Sequence, residues 1–112
     1  MKGEILKGHL DLLLLAVLQD GPAHGYAIVE ELRSRSGGAF DLPEGTIYPA
    51  LHRLEAAILV ESHWQSHAGR RRRVYALTAA GRAALTEQRE TWDRFVAGVN
   101  AVLAGVPCRE TA

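Results

Sequence analysis

Gly45-Thr46-Ile47-Tyr48-Pro49-Ala50-Leu51-His52-Arg53-Leu54-Glu55 reads as a helix with one face to bury and another to present. Ile47, Leu51, Leu54 and Ile58 fall at i, i+4, i+7 and i+11, an apolar stripe of helical period. The opposite side carries Thr46, Tyr48, Pro49, His52 and Arg53. Hydroxyls, an aromatic, an imidazole and a guanidinium in the N-terminal half are what a helix lying in a DNA major groove needs in order to touch base edges and phosphates. A helix with only a structural role more usually shows a Lys/Glu-rich outer face.

The segment C-terminal to this helix decides how it is used. Leu59-Val60-Glu61-Ser62-His63-Trp64-Gln65-Ser66-His67 and Arg70-Arg71-Arg72-Arg73-Val74-Tyr75-Ala76-Leu77 are two β-prone runs separated by Ala68-Gly69, the pattern of a hairpin. Val60, Ser62 and Trp64 alternate against Leu59, Glu61 and His63, as on a half-buried strand. Four consecutive arginines stand at the hairpin's tip. Such a run is often no more than a solvated face. Directly behind a reading helix, however, it occupies the place of the basic wing in a winged helix-turn-helix, where it holds phosphates or enters the minor groove.

His24-Gly25-Tyr26, the block 45–55 and Gly69-Arg70-Arg71-Arg72 followed by Tyr75-Ala76-Leu77-Thr78 resemble, in order and spacing, the PadR family of bacterial transcriptional regulators. The resemblance runs from about Leu6 to Leu103. It implies a winged-helix repressor that acts as a homodimer, with a C-terminal helix pairing the subunits. Some members of the family hold flat aromatic or cationic compounds between the subunits, beside an aromatic residue of that helix; if this chain has such a cavity, Trp92 is the residue expected to line it. Members commonly have glycine just after the reading helix, where this chain has Ala56-Ala57. Either Ala57 takes a left-handed conformation, at about 1 kcal/mol or more, or the helix runs on by a residue or two.

The expected fold is mainly α with a small β-hairpin wing. Residues 1–77 make the winged helix-turn-helix, 78–105 the dimerisation helix and 106–112 a tail. The first helix is expected over Lys7 to Asp20, with Leu10, Leu13, Leu14, Val17 and Leu18 on one face and Leu12, Leu15 and Ala16 on the other. A helix apolar nearly all round must be covered on both sides, and a second subunit is the expected cover. Gly21-Pro22 ends it. The second helix, about Ala23 to Ser36, starts at His24-Gly25, where free backbone N–H groups suit a DNA phosphate. His24 stands beside that start, and Tyr26 belongs either there or in the core. Phe40-Asp41-Leu42-Pro43 is an extended connector that could add a third strand to the hairpin.

Thr78 caps the last helix, which runs to about Ala104, on the order of 40 Å at about 1.5 Å per residue. Leu85, Trp92, Val99 and Val106 repeat every seven residues with Gln88, Phe95 and Val102 between them, a coiled-coil-like seam. The expected dimer interface is therefore Leu12, Leu15, Leu85, Trp92, Phe95, Val99 and Val102, with Trp92 and Phe95 either in its core or lining a ligand cavity.

Thirteen basic and thirteen acidic residues leave no net charge, which argues against a protein basic throughout. Residues 44–81 nonetheless hold five basic against three acidic groups, so positive charge is concentrated in the segment that would face DNA. A winged helix serving as a protein-interaction module stays open beside the DNA reading. No Ser/His/Asp grouping, paired carboxylates, phosphate loop or metal set appears at catalytic spacing, so no enzyme, cofactor or metal is expected. His63 and His67 share a strand face but lack a carboxylate or thiolate to complete a zinc set. The single cysteine, Cys108, cannot form an intramolecular disulfide. The longest apolar stretch, Leu12 to Leu18, is far short of the roughly 20 residues of a membrane span, and a cytoplasmic protein is expected.

Overall fold

The computed structural model describes residue 6 and residues 8–105; the expectations for Cys108 and the tail lie outside them. Among the described residues, four helices and a three-stranded antiparallel sheet run in the order α1 (Leu10–Leu18), β1 (Ala23–His24), α2 (Gly25–Arg35), α3 (Glu44–Ala56), β2 (Val60–His67), β3 (Arg70–Leu77) and α4 (Ala79–Leu103). The sheet order is β1-β3-β2. Its third strand is not the connector 40–43. Ala23 and His24 pair with Tyr75 and Val74 instead, because the chain leaving α1 passes along the open edge of β3.

α1 is the centre of the body, packed against α2, α3, α4 and β3. Leu10, Leu14, Leu15, Val17 and Leu18 are buried on it, and they meet Ile28 and Leu32 of α2, Ile47, Leu51 and Leu54 of α3, Val60, Tyr75, Leu77 and Leu85. Two members of the expected interface are thereby corrected. Leu15 is fully buried and Leu85 nearly so, both inside this chain's own core. Much of the all-round apolarity of α1 is taken up by helices of this chain on several sides. Leu12, Leu13 and Ala16 are partly buried against the same core.

The exit from α3 resolves the missing glycine in an unexpected place. Ala57 has φ −84°, and the left-handed residue is Ile58, at φ 61°. Ile58 is consequently thrown outward, 69% exposed, and does not extend the apolar stripe of α3. Hydrogen bonds from Thr78 hold the strained corner: the Ile58 carbonyl accepts one from the Thr78 hydroxyl (2.7 Å), and the Leu59 carbonyl accepts one from the Thr78 amide (3.2 Å). Thr78 Oγ1 in turn accepts from the Gly81 amide, capping α4. Gly81 lies so close to the Leu59 carbonyl that a Cβ there would overlap it. One threonine and one glycine thus join the end of the reading helix, the start of the wing and the root of α4.

Past Trp92 and Phe95, which still border the start of α1, α4 leaves the body. Only Gly81 and Leu85 are buried on it, and Trp92, Phe95, Val99, Val102 and Leu103 are exposed. One stripe therefore serves two purposes, docking the helix through Leu85 and then continuing bare into solvent.

Candidate nucleic-acid interface

At about 100° per residue, α3 divides into three outward sectors around its buried side of Ile47, Ala50, Leu51 and Leu54. Gly45, Pro49, His52 and Ala56 face directly away from the core. Thr46 and Arg53 fall on the flank toward α1, and Glu44, Tyr48 and Glu55 on the flank toward the wing. Pro49 has no N–H to give the Gly45 carbonyl, so that carbonyl lacks its helical partner on the most outward sector. His52 is the principal polar side chain there.

The sectors are used differently. Tyr48 lies over Gly25, where any Cβ would overlap its phenol, and so the reading helix seats against the start of α2. Burial first, and then the charge and hydrogen bond of Glu44, push the Tyr48 phenol above its ordinary pKa, so it remains a neutral donor. Arg53 points the other way: its guanidinium donates to Asp11 of α1 (2.6 Å).

α2 begins with an extended residue, His24, whose imidazole Nδ1 accepts a hydrogen bond from the Ala27 amide (3.2 Å). Desolvation, followed by the neighbouring Arg72 and His67, lowers the His24 pKa, which keeps Nδ1 free to accept. Tyr26 stacks on His24 at 6.5 Å between ring centroids and is 59% exposed, which decides against the core.

The wing turns through Ala68 (φ 52°) and Gly69 (φ 77°), a pair of left-handed residues that suits the twist of a two-residue hairpin. That turn fixes the register: His67 opposes Arg70, Gln65 opposes Arg72 and Trp64 opposes Arg73. Arg71, Arg73 and Trp64 share the face toward α3, and both guanidinium groups lie over the indole, 4.8 and 5.2 Å from its centroid. Arg73 also donates to Ser62 Oγ (2.8 Å), which donates to Glu55 of α3 (2.6 Å). A single chain of contacts runs from the reading helix to the indole and holds the wing at a set angle. Arg72 has its Nε buried without a hydrogen-bond partner.

α3, the start of α2 and the wing enclose an open cleft of about 910 Å³. Of the residues expected to meet DNA, His24, Tyr26, Tyr48, His52 and Arg70 to Arg73 line it together; Thr46, Pro49 and Arg53 do not. Glu44, Glu55, Trp64 and His67 also line it, and none of them was among the expected contacts. Trp64 was within reach of sequence reasoning, since a two-residue turn at Ala68-Gly69 already places it opposite Arg73. Four arginines against two glutamates leave the cleft positive, with Glu55 already engaged by Ser62. Among the described residues, no cluster of histidine, cysteine and carboxylate side chains could hold a metal ion, and no helix is long and apolar enough to cross a membrane.

A helix-turn-helix unit carrying a basic hairpin behind its second helix defines a winged-helix protein. The sequence pattern of the transcriptional regulator PadR-like family matches residues 14–87, and the chain belongs to that family. It is 42% identical over 92 residues to a transcriptional regulator of Mycobacterium tuberculosis, covering 82% of this chain and 83% of the relative. A PadR family transcription regulator from Clostridium difficile superposes with a TM-score of 0.76 at 32% identity, over 85% of this chain and 98% of that one. A PadR family regulator from Eggerthella lenta gives 0.79 at 31% identity, over 97% and 88%. Membership makes the chain a regulator of transcription, not an enzyme.

Proposed function

We propose that the chain represses transcription by binding an inverted-repeat operator as a homodimer. The observation that carries this reading is the positive cleft, where four wing arginines and the start of α2 converge on the reading helix. His52, Thr46, Pro49 and the open Gly45 carbonyl address base edges. Arg70 to Arg73 hold phosphates or reach the minor groove, and His24 and Tyr26 flank a phosphate at the α2 N-terminus. The bare stripe of α4, Trp92, Phe95, Val99 and Val102, joins the subunits, with Leu12 at its edge. Pairing then sets two reading helices about 34 Å apart, one turn of DNA. Occupancy of a promoter excludes polymerase.

A cleft of about 490 Å³ between the start of α1 and α4, walled by His9, Leu12, Trp92 and Phe95, supports a flat aromatic ligand at the subunit boundary. There it would turn one subunit against the other and spoil the two-site fit.

Titration of the protein against duplexes cut from upstream of its own gene tests the reading. Binding should weaken with salt at a slope of about −4 or steeper, since each neutralised phosphate adds roughly 0.9. Arg71→Ala with Arg72→Ala removes four arginines from the dimer and should flatten that slope by roughly 3.6 units, while leaving the thermal midpoint nearly unchanged. A slope near zero, or full affinity in the double variant, defeats the DNA reading and favours a protein-interaction module.

A further inference from the structure

Arg53 was expected on DNA, yet the fold gives its charge another use. Its Nη2 donates to Asp11 Oδ1 at 2.6 Å, joining the last turn of α3 to the first turn of α1. The pair is partly open to water, with Arg53 59% and Asp11 38% exposed, so it is strained neither by burial nor by distance. Asp11 is Arg53's one ion-pair partner among the described residues. The same aspartate also borders α4. It stands two residues beyond His9, whose ring meets Trp92 of α4 edge-on at 4.9 Å, and it lines the same α1–α4 cleft as Leu12 and Phe95. Arg53 shares its flank of α3 with Thr46, one step around the helix from the outward sector of Pro49 and His52. To turn from α1 toward a phosphate, a guanidinium on that flank must leave Asp11.

We propose that Asp11 is a positioning residue for DNA reading, and that its carboxylate holds the Arg53 guanidinium back from the nucleic acid. The inference rests on the DNA-binding function proposed above. Phosphate and carboxylate compete for one cation, and an exposed pair of this kind holds its partner by a factor of only about two to five. The restraint is therefore graded, trimming affinity for any duplex rather than abolishing it. Because phosphates carry no sequence information, a restrained Arg53 favours recognition through base edges over nonspecific attachment.

The test is a double-mutant cycle on the full-length chain, read by anisotropy of a labelled duplex from upstream of its own gene across a range of salt. Asp11→Asn should tighten binding about two- to fivefold per subunit and steepen the salt slope by roughly 1.8, the value of one added phosphate contact in each half of the dimer. Arg53→Ala alone should move the slope by less than half a unit. Combined with Asp11→Asn, it should remove the gain, and Asp11→Glu should restore wild-type affinity and slope. The proposal is overturned if Asp11→Asn changes neither quantity or if its gain survives in the Arg53→Ala background. It is also overturned if Arg53→Ala alone costs a full unit of slope, for Arg53 would then already be on DNA. Thermal unfolding of each variant guards against a folding defect, and Asp11→Ser serves as a second neutral substitution. A wild-type chain that binds no duplex fails the proposed function itself, an outcome distinct from a wild-type chain that binds while Asp11→Asn stays silent.

Discussion

His24 serves two tasks that oppose each other in acid. Its Nδ1 caps α2 only while the ring is neutral, and its pKa in the fold is lowered from 6.5. The unfolded chain then binds the proton more readily than the folded one, so stability rises with pH across this range. The cap's contribution is complete above about pH 6.5 and is lost as pH falls below it through the lowered value. Asparagine also caps well but does not titrate. We therefore expect the thermal midpoint of His24→Asn to fall less between pH 7.5 and 5.5 than that of the wild type, in parallel melts monitored by circular dichroism. Ile58 is a second residue whose local cost is visible. A β-branched side chain at φ 61° costs about 1–2 kcal/mol, and at 69% exposure it recovers little by burial. Ile58→Gly should stabilise the protein by about 0.5–1 kcal/mol net of glycine's greater unfolded entropy. An unchanged or lower urea midpoint would show that the side chain has packing work at this corner.

At the scale of elements, the joint of Thr78, Gly81 and Leu59 decides whether α4 docks. Alanine would favour the helix by about 1 kcal/mol in isolation, but at position 81 its Cβ would drive into the Leu59 carbonyl. Gly81→Ala should destabilise by about 1–3 kcal/mol in urea unfolding, the magnitude of overpacking rather than of propensity. The elements differ in how far they could be read beforehand. α3 and the hairpin were legible because their apolar periods, 3.6 and 2, are strong and are punctuated by Pro43 and Ala68-Gly69. β1 was not, since two residues carry no period and their pairing with Val74 and Tyr75 is made by tertiary proximity alone. Leu15 and Leu85 were assigned to the wrong partner for a related reason. Periodicity says that a face is buried, but not whether the cover comes from the same chain. The cleft's arginines were legible as a run, whereas the indole that orders Arg71 and Arg73 required the register.

The whole molecule is long for its mass. It measures 70 × 29 × 21 Å, and its radius of gyration is 17.3 Å against about 13 Å for a compact chain of this length. The excess is α4, whose stripe of Trp92, Phe95, Val99 and Val102 lies open on one side. A charge placed in that stripe should leave the body folded but prevent pairing. Phe95→Asp with Val99→Asp is expected to sediment as a monomer, retain its hairpin and core, and bind an operator duplex at least tenfold more weakly. A variant that stays dimeric would move the interface elsewhere. The projecting helix also acts as a lever. Its 25 residues extend about 37 Å at 1.5 Å each, so a tilt of roughly 10° at its root sweeps the tip through about 6 Å. That sweep is nearly twice the rise of about 3.4 Å between successive base pairs, enough to throw two bound heads out of phase with the duplex. A change of angle at the joint of Thr78 and Gly81, remote from the reading helix, would therefore alter the spacing that the proposed dimer accepts.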